Sequence, residues 1–390
     1  LLTPLFSLET CRVRESQFTS ELYTHIRMSS PSGDSVDLST IAPRNEVFEF
    51  CHRCMVKAGA TEEDARNLAE VLTEADYRGH YSHGLNRLGM YVRDVKSKAC
   101  CVGAIPEVLK ESVSTAWVDG KNALGPTVGN FCMDLAVKKA KETGIAFVVA
   151  KGSNHYGIAG WYTIRALNAG MIGFSCTNTS PLMTPTRAKS AVLGTNPISL
   201  AAPATNGDSF ILDMATTAVA LGKIEVARKK RQSIPDGWAV DREGKNTNDP
   251  NQDVFCMPLG GAEITGGYKG YGLALMVEIL TGVLSGGAMG PWVRGWMNTD
   301  RVADLGQCFL AIDPSRFTPG FESRASKILN YYRHMESVDP LKSVLVPGDP
   351  EHMHMDAVDK LGGIPYHRSQ IESCYQIAQE LGIEPLKTVG

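Results

Sequence analysis

No glycine fingerprint of the form G-x-G-x-x-G follows a strand pattern in the 390 residues. The ordinary Rossmann dinucleotide cradle is therefore missing. No G-x-x-x-x-G-K-[ST] run is present either, which excludes a P-loop nucleotidase, and no G-x-S-x-G elbow, which excludes that nucleophile geometry. Neither sign of charge dominates. Lys and Arg number 39 against 42 Asp and Glu, for a formal net charge of −3. Such a balance gives no electrostatic footprint for nucleic acid or an anionic membrane surface. Long apolar runs are absent. The most apolar stretch, residues 270–290, carries Glu278 in its middle and reads as a buried helix, not a membrane span. Cysteine is too sparse for a secreted disulfide scaffold: ten in 390 residues fit reduced thiols in a cytoplasmic protein. Cys51 and Cys54 form a lone C-x-x-C, read as helix-face thiols because a closed zinc site needs four ligands. His352 and His354 read as part of a solvated loop, so no metal site is assigned.

What is present is an ordinary globular composition with enough length for a substantial core. Residues 1–37 read as a disordered N-terminal extension, with Met28 as a candidate initiator and no secretory h-region before it. Residues 38–390 read as a single catalytic unit. It has an N-terminal helical segment (38–110), an α/β core (111–315) and a C-terminal helical segment (316–390). Thr61 followed by Asp64 predicts a helix N-cap, with Ala65, Leu68, Ala69 and Leu72 on one face. A second helix follows through Leu85, Leu88, Val92 and Val95. Strands are predicted at 113–118, 145–150, 171–176, 197–202, 210–214 and 308–312. Helices are predicted at 128–143, 159–168, 218–230, 271–284, 322–335 and 370–381. The fold class is α/β with a central mixed sheet and flanking helices. Residues 233–267 are rich in Gly and Pro and read as a loop that covers substrate or cofactor.

Five blocks carry chemistry. In the first, Ser82, His83, Arg87 and Tyr91 follow a glycine turn. On one helix, His83, Arg87 and Tyr91 fall at i, i+4 and i+8. Alcohol oxidation needs a base near neutral pH, which His supplies, and a carboxylate substrate needs the bidentate fork of Arg. Ser82 is equally an N-cap, and Arg87 and Tyr91 an exposed face. The second block places His155 after the strand at 145–150, at a glycine turn leading to a helix, where α/β proteins put ligands. The third runs through Asn178 and Thr179, then Arg187, then Gly194, Thr195, Asn196 and Pro197. Its small polar residues suit ribose and phosphate, and Arg187 is a second candidate for the substrate carboxylate. The fourth is Asp213, Met214 and Ala215 at a strand end. A buried Asp213 wants a partner, and pairing with His83 would fix that ring's tautomer and raise its pKa. The fifth, Lys269 and Gly270 at a helix start, suits pyrophosphate.

Together and in this order, the runs R-G-x-x-S-H-G, G-S-N-H-x-G, G-T-N-P, D-M-A-T and K-G-Y-G-L-A resemble the type-2 malate/L-lactate dehydrogenase family. Its relatives include ureidoglycolate dehydrogenase, diketogulonate reductase and cyclic-imine reductases. The resemblance spans residue 38 to the C-terminus. It implies a non-Rossmann nicotinamide-binding fold, NAD or NADP as cofactor, and a homodimer with the cofactor near the subunit interface. It also implies His83 as proton donor and acceptor beside Ser82 and Asp213, with His155 as the rival acid/base. Arg87 and Tyr91 match substrate-side positions. Thr179, Asp213 to Ala215, Lys269 and the Pro347-Gly348-Asp349 turn match cofactor-contacting segments. Two departures stand out. Residues 262–267 are inserted between Gly261 and Tyr268, and Asp349 stands where the family's turn usually has Glu.

The expected reaction is hydride transfer between NAD(P) and C2 of a small 2-hydroxy or 2-oxo acid, malate/oxaloacetate or lactate/pyruvate. Alternatives are a cyclic-imine reductase, a ureidoglycolate dehydrogenase or a catalytically silent binding homologue. A hydrolase using Ser82, His83 and Asp213 is disfavoured, because adjacent residues at a helix start point about 100° apart.

Overall fold

The computed structural model describes residues 40–296 and 298–389; the predicted N-terminal extension and Met28 lie outside them. A short strand β1 (Thr40–Ala42) leads into helix α1 (Arg44–Ala58). Val47, Phe50, Cys51, Cys54 and Met55 recur at helical spacing and form its buried stripe. The two thiols therefore lie on a packed helix face, and burial pushes the Cys54 thiol up to about 12. Helix α2 (Glu62–Tyr77) starts as its cap predicts: the Asp64 amide donates to Thr61 Oγ1 at 3.1 Å. Two 3₁₀ turns, Tyr81–His83 and Leu85–Arg87, precede α3 (Leu88–Lys96).

The central sheet is built from β2 (Glu107–Glu111), β3 (Thr115–Asp119), β4 (Ile145–Ser153), β5 (Ile172–Thr177), β6 (Ile198–Pro203), β7 (Ser209–Met214) and β11 (Leu305–Ile312). Its strand order is β2-β3-β4-β11-β5-β6-β7. Among the described residues β3–β4 is the one parallel pair in this sheet, and the rest are antiparallel. This mixed sheet is the predicted fold class, and it is not the Rossmann arrangement. Helices α4 (Gly125–Thr143) and α5 (Gly160–Asn168) pack on one face. The period-2 alternation of strand residues explains how both faces are filled. Val148, Ala150, Phe309 and Ala311 join α4 and α5 in one apolar cluster. Val149, Cys176 and Cys308 point the other way, toward Val277.

Beyond β7 come α6 (Leu221–Lys230) and a small sheet of β8 (Ala239–Val240), β9 (Asn246–Thr247) and β10 (Phe255–Cys256). Helix α7 (Gly267–Glu278) starts four residues before the predicted helix and continues as a π-helical turn, Ile279–Val283. Helix α8 (Phe321–Arg333) follows β11. Next come α9 (Asp349–Leu361), β12 (Ile364–Tyr366), paired with β1, and α10 (Arg368–Leu381).

Helix α9 corrects the reading of His352 and His354 as a solvated loop. Pro350 resembles a breaker, but it occupies the first turn, where a missing N–H costs nothing. His354 is buried, with Nδ1 2.9 Å from the Tyr77 carbonyl and Nε2 3.2 Å from the Tyr81 hydroxyl. Among the described residues, the largest apolar cluster joins early and late segments of the chain. Phe50, Leu68, Leu72 and Leu88 pack with Ile371, Ala378 and Leu381 of α10. Each fully buried Leu, Ile or Phe there contributes about 1.5–3 kcal/mol relative to exposure.

Candidate active site

The ends of β4, β5 and β7, the paired 3₁₀ turns and the start of α6 surround a cavity of about 250 Å³. One wall is basic and aromatic, formed by Ser82, His83, Arg87, His155 and Trp296. The other is largely apolar, with Leu182, Pro197, Met214, Ala215 and Leu221.

His83 and Arg87 reach the cavity from the consecutive 3₁₀ turns rather than from one helix. Tyr91, on α3, lies buried just behind. Its hydroxyl is 2.6 Å from His155 Nδ1, and the Gly157 amide donates to the same nitrogen at 3.3 Å. An amide can only donate, so Nδ1 is the acceptor and the neutral ring carries its proton on Nε2. The His155 and His83 rings stack at 5.7 Å between centroids, with 17° between their planes. Burial depresses both imidazoles. His155 falls to about 3, with the Arg87 charge adding to burial. His83 falls well below its ordinary value through burial, then through His155, Arg87 and His80. The free site therefore holds two neutral imidazoles beside one permanent cation.

Ser82 Oγ lies 2.8 Å from His83 Nδ1. This corrects the geometric argument against their pairing: diverging Cβ directions do not stop a short hydroxyl from meeting the ring nitrogen nearest the backbone. The predicted partner, Asp213, is not the one that orients His83. Asp213 Oδ2 accepts the Gly160 amide at 2.7 Å, at the start of α5. Burial holds the Asp213 carboxyl above its usual range, opposed by His80 and by that hydrogen bond. The expected rise of the His83 pKa is likewise replaced by a fall, because burial dominates without an anionic partner. Asp213, Met214 and Ala215 do line the cavity, as does Thr179, whose hydroxyl accepts the Thr195 amide at 2.9 Å.

Arg87 donates through Nε to the Ser82 carbonyl at 2.6 Å, and its guanidinium lies over the Trp296 ring, 4.7 Å from the centroid. Among the described residues its Nη atoms have no hydrogen-bond partner. Arg187 is elsewhere. It is exposed and forms a two-point pair with Glu263 at 2.6 and 2.8 Å, inside the inserted segment 262–267.

Several predicted cofactor positions also lie outside the cavity. Asn178 is fully buried and bonds Glu278, the Ala288 carbonyl and the Gly306 amide. Lys269 is exposed at the start of α7. Gly270 is required by packing, since a Cβ there would lie 2.1 Å from the Leu259 carbonyl oxygen. The Pro347 carbonyl accepts the Ile211 amide, and Asp349 is held by Arg333 at 2.7 Å. The loop-rich segment 233–267 contributes nothing to the cavity lining. Sequence reasoning missed Trp296, Glu225 and Leu221. Glu225 and Leu221 are spaced four apart on one helix, but only the fold shows which face meets the cavity.

The match to known proteins follows the same blocks. A family model described as malate/L-lactate dehydrogenase matches residues 42–374. The chain belongs to the malate/L-lactate dehydrogenase family. It is 42% identical over 351 residues to malate dehydrogenase of Pyrococcus horikoshii, covering 88% of this chain and 96% of that protein. The solved structure of that organism's malate dehydrogenase superposes with a TM-score of 0.83, at 39% identity, covering 90% of this chain and 99% of the other. Sulfolactate dehydrogenase of Methanocaldococcus jannaschii superposes with a TM-score of 0.81, at 35% identity, covering 88% and 98%. Ureidoglycolate dehydrogenase (NAD(+)) of Escherichia coli strain K12 is 31% identical over 313 residues, covering 79% and 87%. Membership makes this chain a dehydrogenase acting on the CH–OH group of its donor, and the site residues fit that chemistry. The cavity volume suits a flat ring against the apolar wall beside a small acid, but not a whole dinucleotide.

Proposed function

We propose that this protein moves a hydride between a nicotinamide cofactor, NAD or NADP, and C2 of a small 2-hydroxy or 2-oxo acid. Malate/oxaloacetate or lactate/pyruvate is the leading pair. The observation that carries this reading is Arg87: a half-buried guanidinium whose Nη atoms have no hydrogen-bond partner among the described residues, beside two stacked neutral imidazoles. Glu225 lines the same cavity and acts on this charge; a substrate carboxylate supplies the direct hydrogen-bond partner.

The nicotinamide, when bound, supplies the hydride acceptor or donor. The protein does the rest. Arg87 clamps the C1 carboxylate. Neutral His83 takes the hydroxyl proton as C2 loses its hydride, so the hydroxy acid leaves as the oxo acid and one proton stays on the imidazole. Ser82 steadies Nδ1 during this step. Binding the carboxylate cancels much of the Arg87 charge and so raises the His83 affinity for that proton. In the reductive direction the imidazolium returns it to the carbonyl oxygen. His155 polarises the same region through Nε2–H, with the Gly157 amide fixing its tautomer and the Tyr91 hydroxyl bonding the same Nδ1. The apolar wall of Met214, Ala215 and Leu182, with Thr179 at its edge, is the ring site. Asn178, Gly270 and the Pro347–Gly348–Asp349 turn hold the backbone behind that wall, outside the cavity, and exposed Lys269 is free to meet the cofactor's phosphates beyond it.

We further read residues 38–390 as one catalytic unit working as a homodimer in the cytoplasm. Tyr268, Met276, Ile279 and Val283 leave an apolar stripe exposed along α7 and its π turn, which suits a second subunit. No described helix is long and apolar enough to cross a membrane.

The test is nicotinamide absorbance with NADH and NADPH separately, against oxaloacetate, pyruvate, other 2-oxo acids, a cyclic imine, and ureidoglycolate in the oxidative direction. Turnover of one oxo acid fixes the substrate. Turnover of the imine or ureidoglycolate alone moves the reading to those alternatives, and cofactor binding without turnover moves it to a silent homologue. His83→Ala is expected to lower kcat on the order of a hundred- to ten-thousand-fold, with NADH affinity within twofold by fluorescence. The same loss in His155→Ala, with His83→Ala active, would exchange their roles.

A further inference from the structure

Trp296 belongs to none of the motifs, yet its ring meets two of the site's three basic groups, Arg87 and His155. The segment that carries it is pinned at two points. Arg294 is buried and reaches Asp94 of α3 at 3.3 Å, and its carbonyl accepts Ser180 Oγ at 2.7 Å. The indole is thereby held against the cavity, where its ring stands edge-on to His155 at 5.4 Å between centroids. Its other neighbour is Arg87, whose guanidinium carbon lies over the ring, 4.7 Å from the centroid.

Arg87 is thus constrained twice. Its Nε is tied to the Ser82 carbonyl at 2.6 Å, and its guanidinium carbon lies over the indole. Cation–π stacking of this kind favours a planar guanidinium over a point charge. These two contacts restrict rotation about the last side-chain bonds and so limit where the two Nη atoms can point. A carboxylate engages a guanidinium edge bidentately only within the guanidinium plane. The indole therefore sets the direction from which the substrate's C1 carboxylate arrives, and hence where C2 lies relative to His83. It also lines the side of the cavity next to His155, where its bulk takes up space that a large substituent on the acid could otherwise fill.

We propose that Trp296 is a positioning and specificity-determining residue. It orients Arg87 for carboxylate docking and restricts the cavity to 2-hydroxy or 2-oxo acids with short side chains. This deepens the functional reading above and rests on it. The experiment compares wild type, Trp296→Phe and Trp296→Leu with pyruvate, 2-oxobutyrate, 2-oxohexanoate and phenylpyruvate. KM for the acid, kcat and KM for the cofactor are measured separately. In Trp296→Leu, KM for the short acids should rise about tenfold or more, with cofactor KM within twofold. The kcat/KM ratio of 2-oxohexanoate to pyruvate should rise by a similar factor. Trp296→Phe keeps an aromatic face and should recover most of the short-acid KM. Thermal midpoints are compared to confirm that both variants fold. Unchanged acid KM overturns the proposal, as does a parallel rise in cofactor KM or no recovery with Phe. Absence of wild-type turnover with every acid sinks the functional reading instead. In that case calorimetric titration with oxalate decides this one. Binding at least tenfold weaker in Trp296→Leu supports it, and equal binding, or none to wild type, overturns it.

Discussion

Asp76, in the last turn of α2, supports the site from behind. Its carboxylate is 0% exposed. Oδ2 accepts the Leu85 amide at 2.9 Å and the Tyr366 hydroxyl at 2.7 Å, while Oδ1 has no partner among the described residues. Gly84 crosses so closely that a Cβ there would lie 1.8 Å from Oδ1. The carboxylate thus clamps the turn between His83 and Arg87 to β12. Burial pushes its pKa up to about 7, against the pull of both hydrogen bonds, from an ordinary value of 3.8. The sign follows. Between those values the native state keeps a proton that the unfolded chain has released, so stability falls as pH rises from 3.8 through 7. At 1.36 kcal/mol per unit, the ionised clamp costs about 4 kcal/mol above pH 7, of which about 2–3 kcal/mol develops between pH 5 and pH 8. Asp76→Asn removes the titration. Its amide oxygen can accept both hydrogen bonds, while its NH₂ faces the partnerless position at a cost of about 1–3 kcal/mol. The variant should therefore gain about 2–3 kcal/mol on wild type between pH 5 and pH 8. Urea unfolding of both proteins at the two pH values, at one protein concentration, measures this. A stability difference independent of pH would show that the buried carboxyl titrates normally, and the desolvation argument would fail.

Two further outcomes test the site. With His155 near 3 and His83 well below its ordinary 6.5, the oxidative kcat/KM should show no acid limb near pH 6.5. The limb in kcat should lie at higher pH than that in kcat/KM, because bound carboxylate offsets Arg87; the reverse order would contradict the electrostatics. Tyr91→Phe removes the 2.6 Å hydrogen bond to His155 Nδ1, at a cost of about 1 kcal/mol in stability. Its kcat should fall less than tenfold if His83 is the acid/base. A larger fall, with an altered pH profile, would hand that role to His155.

Much of the α/β core was legible because its signals are repetitive. The β-branched run at 145–150 and the stripe of Ala65, Leu68, Ala69 and Leu72 each present a full period of their element. The elements that escaped had less to show. Strands β1 and β12 are three residues each, too short for an alternation. Helix α9 begins at Asp349 with Pro350 in its first turn, a residue whose usual meaning is termination and whose meaning in the first turn is initiation.

The site divides along a similar line. Residue types needed by the chemistry announce themselves locally, which is why His83, Arg87, Tyr91 and His155 were named and do converge. Their partners do not announce themselves. A buried carboxylate wants a partner, which in the sequence points Asp213 to His83; the structure meets that demand with the Gly160 amide. A backbone N–H leaves no trace in sequence, so a rule that pairs side chain with side chain overcounts catalytic contacts wherever helix termini are nearby. Arg187 fails for the converse reason: Glu263, in the insertion, holds it at the surface. Trp296 shows the remaining gap. Its place over Arg87 follows a segment anchored by the Asp94–Arg294 pair, 200 residues apart along the chain, and no local pattern encodes that distance.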